Sequence, residues 1–178
     1  MNLVHDLPLG EIGKSINTII EIPKGSMHKI EYKHKLETFI LDRVEPSIFA
    51  KPVSYGFIPQ TWDEDNDALD TLVITEESLS TGLMVKDAKV IGVLKFIDSD
   101  ERDYKIICVP ADDRNTGDAI NSLDDLSAGW KKQIEHHFNH YKDLKKANST
   151  KVEGWGDAKE AWEIIKECEE RYKTEFKK

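Results

Sequence analysis

VIGVLKFIDSDERDYKIICVP, residues 90–110, is the stretch whose reading decides the fold. It holds two runs dense in β-branched and aromatic residues, VIGVLKFID (90–98) and YKIICVP (104–110), with the acidic turn DSDERD (98–103) between them. The same texture recurs toward the N-terminus in INTIIEI (16–22), KIEYK (29–33), ETFILDR (37–43) and TLVIT (71–75). Turn residues separate these runs, as Pro23, Lys24 and Gly25 do after the first. Five or six strands at this spacing predict a small barrel or a strongly curled sheet. Beyond Pro110 the period changes. Trp130, Ile134, Phe138 and Tyr141 share a stripe, so SAGWKKQIEHHFNHYKDL reads as an amphipathic helix. A second helix follows, with Asp157 as N-cap and Trp162, Ile165, Cys168, Tyr172 and Phe176 on its apolar face. The expected architecture is α+β: a mainly β core with two helices, late in the chain, packed against it.

The 178 residues fit a single domain spanning 1–178, long enough to bury a core without disulfides or structural zinc. A net charge of −9, from 25 Lys and Arg against 34 Asp and Glu, argues against nucleic acid as a partner, because phosphate attraction needs a basic surface. Cys108 and Cys168 match no zinc or redox spacing and read as small apolar residues in a reducing compartment. MNLVHDLPLG lacks a basic segment and an apolar run, and no later run approaches a membrane span. The expectation is a cytoplasmic protein with no membrane partner.

Charge is concentrated in DEDNDALD (63–70), five carboxylates in eight positions. One reading is a solvated acidic turn. A calcium loop beginning at Asp63 would need Gly at its sixth position and Glu at its twelfth, and these are Ala68 and Ile74. The remaining reading is a hard divalent cation held by a few carboxylates, with water and substrate oxygens completing its shell, as magnesium is used in phosphoryl chemistry. Asp98 and Asp103 join such a site if the barrel brings the two acidic turns together. Lys29, Arg43, Lys105 and Lys142 are then candidates to grip phosphate oxygens, although a lone strand lysine also reads as surface. GEIGKS (10–15) is no phosphate loop, since Pro8 stands where the first Gly belongs. His136 and His140 have helical zinc spacing but no further ligand beside them, and His137 lies between them.

Further stretches make a family visible. IEIPKGS (20–26), KIEY (29–32), LDR (41–43), YGFIP (55–59), DNDALD (65–70), the run from IGVLKFID to DYK, HYKDL (140–144) and VEGW (152–155) are each weak signals, but their order and spacing are specific. From about Ile19 to Trp155 the chain resembles a family I soluble inorganic pyrophosphatase of the prokaryotic type. The resemblance implies a five-stranded OB-like barrel with flanking helices, magnesium-dependent hydrolysis of diphosphate to two orthophosphates without a covalent intermediate, and a hexamer. It also implies roles by position. Asp65, Asp70 and Asp103 match the main metal ligands, with Asp98, Glu21 and Glu31 around further magnesium ions. Asp67 matches the general base. Lys29, Arg43, Lys105, Tyr141 and Lys142 match the phosphate-contacting set, with Tyr55 beside them.

The chain departs from the family pattern at a few positions. Ala68 and Thr71 are small changes, the first removing the backbone restriction of Pro and implying a looser loop. Lys51 stands where the family commonly has Tyr, and either adds a phosphate contact or points to solvent. Ser99 follows Asp98 where an acidic residue is frequent. Three other functions compete: an OB-like module for single-stranded nucleic acid, which predicts a basic groove with aromatic platforms; a phosphohydrolase for organic phosphates, which needs a pocket for the organic part; and an inactive homologue.

Overall fold

Every residue of the run Lys105–Val109 is buried, because both of its faces meet apolar layers. A strand enclosed in this way reads as a continuous apolar run rather than as alternation. In this computed structural model, which describes residues 1–115 and 117–176, the strands are β1 (Gly10–Glu11), β2 (Ser15–Ile22), β3 (His28–Lys33), β4 (Thr38–Val44), β5 (Ser54–Phe57), β6 (Asp70–Val73), β7 (Met84–Asp98), β8 (Glu101–Arg102) and β9 (Lys105–Val109). Helices α1 (Ala128–His140) and α2 (Asp143–Lys146), strand β10 (Thr150–Gly156) and helix α3 (Ala158–Phe176) complete the chain.

Five strands close into a ring. The pairings run β2–β5, β5–β6, β6–β9 and β9–β7, and β7 returns to β2; only β6–β9 is parallel. The 15-residue β7 makes closure possible, since its first part pairs with β2 and its middle with β9. A register shift between Val90 and Gly92, within the stretch paired with β9, bends the strand just past its pairing with β2. The expected OB-like barrel is therefore present, with one correction to its staves. KIEYK and ETFILDR pair with each other as a separate two-stranded sheet outside the ring, and the fifth stave is SYGF, β5. Strand propensity shows that a segment is extended and leaves its partner open.

Two apolar layers sandwich the barrel wall. Ile16, Ile20, Val73, Val93, Ile106 and Cys108 pack with Ala161, Ile165 and Cys168 of α3. Leu72, Ile91, Leu94, Phe96, Ile107 and Val109 pack with Ile134 and Phe138 of α1. Both cysteines are free and buried, and enclosure pushes each thiol up to about 12. Asp157 caps α3 as expected, accepting from the Glu160 N–H at 2.9 Å. Ala161 and Ile164 join the buried face of that helix, while Phe176 lies at its exposed end.

The helix expected over 127–144 is broken. Ser127 caps α1 by accepting from the Trp130 N–H at 3.3 Å, and α1 stops at His140; Tyr141 and Lys142 form a turn before α2. The turn lets both side chains reach Asp98, at 3.1 Å from the Tyr141 hydroxyl and 2.6 Å from Lys142 Nζ. Among the described residues, no helix is long and apolar enough to cross a membrane.

Candidate active site

At one end of the barrel the β3–β4 hairpin, the acidic loop before β6, the ends of β7 and β9 and the turn after α1 surround a cavity of about 250 Å³. Every residue singled out as a site candidate lines it: Glu21, Lys29, Glu31, Arg43, Tyr55, Asp65, Asp67, Asp70, Asp98, Asp103, Lys105, Tyr141 and Lys142. Lys51, Ile22, Ile30 and Phe138 line it too.

The acidic loop divides its charge by direction. Asp63 and Glu64 turn away to Arg171 of α3, at 3.0 Å and 3.3 Å. Asp65, Asp67 and Asp70 face the cavity. The loop is pinned rather than loose. Asn66 takes a left-handed φ of 65°, the Asp63 N–H donates to the Asp67 carbonyl at 2.7 Å, and the Leu69 N–H donates to Thr61 Oγ1 at 2.9 Å. Ala68 is buried beside Phe57 and Tyr32, and its N–H, which a Pro would lack, donates to its neighbour's carboxylate, Asp67 Oδ1, at 2.8 Å. Thr71 lies in the barrel wall, sharing a 2.5 Å hydrogen bond with Thr18. Ser99 holds Asp98 directly, donating to its Oδ1 at 3.0 Å.

Lys29, Arg43, Lys105 and Lys142 are each paired with carboxylates of the cavity or its rim. Lys105 bonds both Asp70 and Asp103, and the Tyr55 hydroxyl also donates to Asp70. Lys29 meets Glu31 at 2.7 Å and Lys33 meets it at 2.5 Å, while Arg43 binds Asp42 at 2.8 Å and Glu45. Lys142 binds Asp98. Glu21 is buried and accepts from the Tyr32 N–H at 2.6 Å.

Electrostatics follow from that pairing. Burial raises Glu21 well above the ordinary carboxylate range, and Asp70 and Asp67 add to the rise. Burial likewise raises Asp65, with Asp103 repelling it, and raises Asp67 against the opposing Ala68 N–H. Asp70 is raised by enclosure despite Lys105, whereas Lys105 is held protonated by Asp103 and Asp70 against the cost of its own burial. Glu31 and Asp98 pay a similar burial penalty, yet hydrogen bonds from Lys29 and Lys33, and from Lys142, bring them below the usual range.

This donor set fits hard divalent cations. It is all carboxylate oxygen, with no imidazole or thiolate in the lining, and one ammonium already sits between Asp70 and Asp103 where positive charge is needed. Among the described residues no three such groups are placed to hold one metal ion by themselves. An open set suits magnesium, which keeps water and substrate oxygens in its shell. On α1, His140 pairs with Asp143 at 2.8 Å and the His136 ring lies tilted beside it with centroids 4.7 Å apart, and among the described residues no group of three His, Cys, Asp or Glu is placed to hold a metal ion.

Placement of Lys51 was not legible from sequence. Its side chain enters the cavity, over the rings of Tyr55 and Tyr141 at 5.2 and 5.1 Å, with His137 Nε2 3.4 Å away. A lone lysine in a loop carries no signal of direction, so nothing in the sequence could have chosen between cavity and solvent.

Comparison with known proteins places this arrangement in a family. The family model described as inorganic pyrophosphatase matches residues 18–173. The chain is 62% identical over 160 residues to an inorganic pyrophosphatase of Neisseria meningitidis serogroup B, covering 90% of each. The crystal structure of an inorganic pyrophosphatase from Neisseria gonorrhoeae superposes with a TM-score of 0.91 at 60% identity, covering 94% of this chain and 96% of that one. The structure from Thermus thermophilus does so with a TM-score of 0.89 at 40% identity, covering 97% and 99%. Matched in sequence and in structure over nearly its whole length, the chain belongs to the family I inorganic pyrophosphatases.

Proposed function

We propose that the protein hydrolyses inorganic diphosphate to two orthophosphates by direct attack of water, with the magnesium complex of diphosphate as its substrate. The observation that carries this reading is the convergence of seven carboxylates with Lys29, Arg43, Lys105 and Lys142 on one small cavity. Apolar lining is confined to Ile22, Ile30, Phe138 and the tyrosine rings, which leaves little to recognise the organic part of a larger phosphate. The carboxylates count equally against a single-stranded nucleic-acid groove.

Asp65, Asp70 and Asp103 would hold the principal magnesium ions, with Asp98, Glu21 and Glu31 serving further ones. Bound magnesium supplies neutralisation of phosphate charge and acidification of water. The chain's own groups do the rest. Lys29, Arg43, Lys105 and Lys142 would direct donors at phosphate oxygens, and the Tyr55 and Tyr141 hydroxyls would add two more. These contacts hold the phosphorus in line with the attacking water and stabilise the departing phosphate. Asp67 accepts the proton of that water as general base. Its burial raises its basicity toward that task. No side chain forms a bond to phosphorus.

The working protein is read as one domain, cytoplasmic in keeping with its two free cysteines. It is read as a homohexamer, for which light scattering should give six times the 20.4 kDa of one chain. The deciding experiment follows orthophosphate release from diphosphate with magnesium, with excess chelator, and in an Asp67→Asn variant. Release that needs magnesium and falls by about a hundredfold or more in the variant is expected. A folded, magnesium-supplied protein that releases none would remove the assignment.

A further inference from the structure

Lys51 stands apart from the other cations of the cavity. Lys29, Arg43, Lys105 and Lys142 each form an ion pair with a carboxylate of the site or its rim. Among the described residues Lys51 forms none, and the polar atom it meets is the ring nitrogen of His137 at 3.4 Å. His137 is held neutral, its pKa depressed to about 3 by burial and by Lys51 itself, so it accepts from the ammonium without balancing its charge.

The groups facing Lys51 make its position costly. Lys29 from β3, Arg43 from β4 and Lys105 from β9 repel it; Glu45 attracts it but is already bound to Arg43. Tyr55 of β5, with Phe138 and Tyr141 from α1 and the turn after it, surround it with rings at 5.1 to 5.6 Å, a weak substitute for water. The side chain keeps some surface open to the cavity, yet desolvation, with Lys29 and Lys105, depresses its pKa to about 7. A lysine held in this way lacks one thing, an anion, and the cavity it faces is the one read above as binding diphosphate.

We infer that Lys51 is an additional substrate-binding residue of this cavity, donating to a phosphate oxygen of diphosphate and setting affinity for it. The inference rests on the proposed function. Unlike its neighbours, Lys51 has no carboxylate to leave before it can donate, so it is available from the first encounter. Binding an anion beside it also restores its basicity, so above neutral pH substrate entry takes up a proton at Lys51.

The test uses the full-length protein with magnesium, comparing wild type with Lys51→Met and Lys51→Arg. Steady-state kinetics give KM and kcat. Calorimetry of methylenediphosphonate binding at pH 8, in buffers of different ionisation heat, gives affinity and protons taken up. Lys51→Met should raise KM and the analogue Kd by roughly ten- to a hundredfold, the worth of one charge-assisted hydrogen bond, with a much smaller change in kcat. Lys51→Arg should keep most of the affinity but lose the proton uptake, since guanidinium is already charged. Unchanged KM and Kd in Lys51→Met would make Lys51 a packing residue and overturn the inference. If that variant does not fold, unchanged KM and analogue Kd in Lys51→Gln, which also removes the charge, overturn the inference. A wild type that binds the analogue but releases no orthophosphate would instead refute the proposed function and leave the Lys51 comparison standing on binding.

Discussion

Asp63 and Asp65 stand two residues apart in one acidic loop and do different work, the first tying the loop to Arg171 of α3 and the second facing the cavity. Charge density alone cannot make that division. It depends on which side chains α3 presents, and Arg171 lies more than a hundred residues away in sequence. His137 shows a similar dependence on distant partners. It is buried, stacked on Tyr141 with ring centroids 5.5 Å apart, and has its pKa depressed to about 3 by enclosure, Lys51 and His136. The unfolded chain binds a proton at this imidazole near pH 6.5 and the folded one does not, so stability falls as pH drops from there toward 3. The expected slope is about 1.4 kcal/mol per pH unit from this group. In His137→Gln, urea melts between pH 6 and 4 should show a shallower loss than wild type; an identical slope would mean that His137 protonates in the folded state. At this scale the sequence showed the thirteen candidate residues through the order and spacing of their motifs. It could not show Lys51, whose direction is set by the rings of Tyr55 and Tyr141.

Among the elements, the long strongly patterned runs were readable and the short glycine-containing ones were not. β7 and β9 carry dense β-branched sequence, and α1 and α3 carry helical stripes. β5 is four residues with Gly56 among them, and β10 contains Gly154 at φ 141°, where its register against β7 shifts. Both strands exist because neighbours supply their hydrogen bonds, a tertiary cause that local propensity does not record. Gly56 has a specific reason to be glycine. A Cβ there would run into the backbone carbonyl of Ile19 on β2, and backbone inside a closed ring has little freedom to give way. Gly56→Ala is expected to lower stability by about 2 kcal/mol or more. It should also weaken activity, because Tyr55, one residue earlier on β5, carries a hydroxyl bound to Asp70. Denaturant unfolding beside initial rates checks both; a variant with wild-type stability would show that the ring breathes where β2 meets β5.

Across the whole molecule, a net charge of −9 surrounds a cavity whose substrate is itself an anion. The two are reconciled when positive charge arrives as a divalent cation, and that requirement is linked to pH. Burial raises Asp65 and Asp70, each with Asp103 as a repelling neighbour, so in chelator these carboxyls retain protons that the unfolded chain has lost. The chelated protein therefore loses stability as pH rises through their folded-state pKa values. Glu31 and Asp98 shift the other way, but their stabilisation is lost only on acidification below the ordinary carboxylate range and is constant above it. A divalent cation needs the deprotonated carboxylates, so it competes with protons and binds more tightly at higher pH. Its stabilisation grows with the ratio of its concentration to its Kd. Adding magnesium to chelated protein should thus raise Tm more at pH 8 than at pH 6, and calorimetry should show protons released on binding. An equal or larger rise at pH 6 would mean that the carboxylates are ionised before the metal arrives, with Lys105 alone holding Asp70 and Asp103 apart.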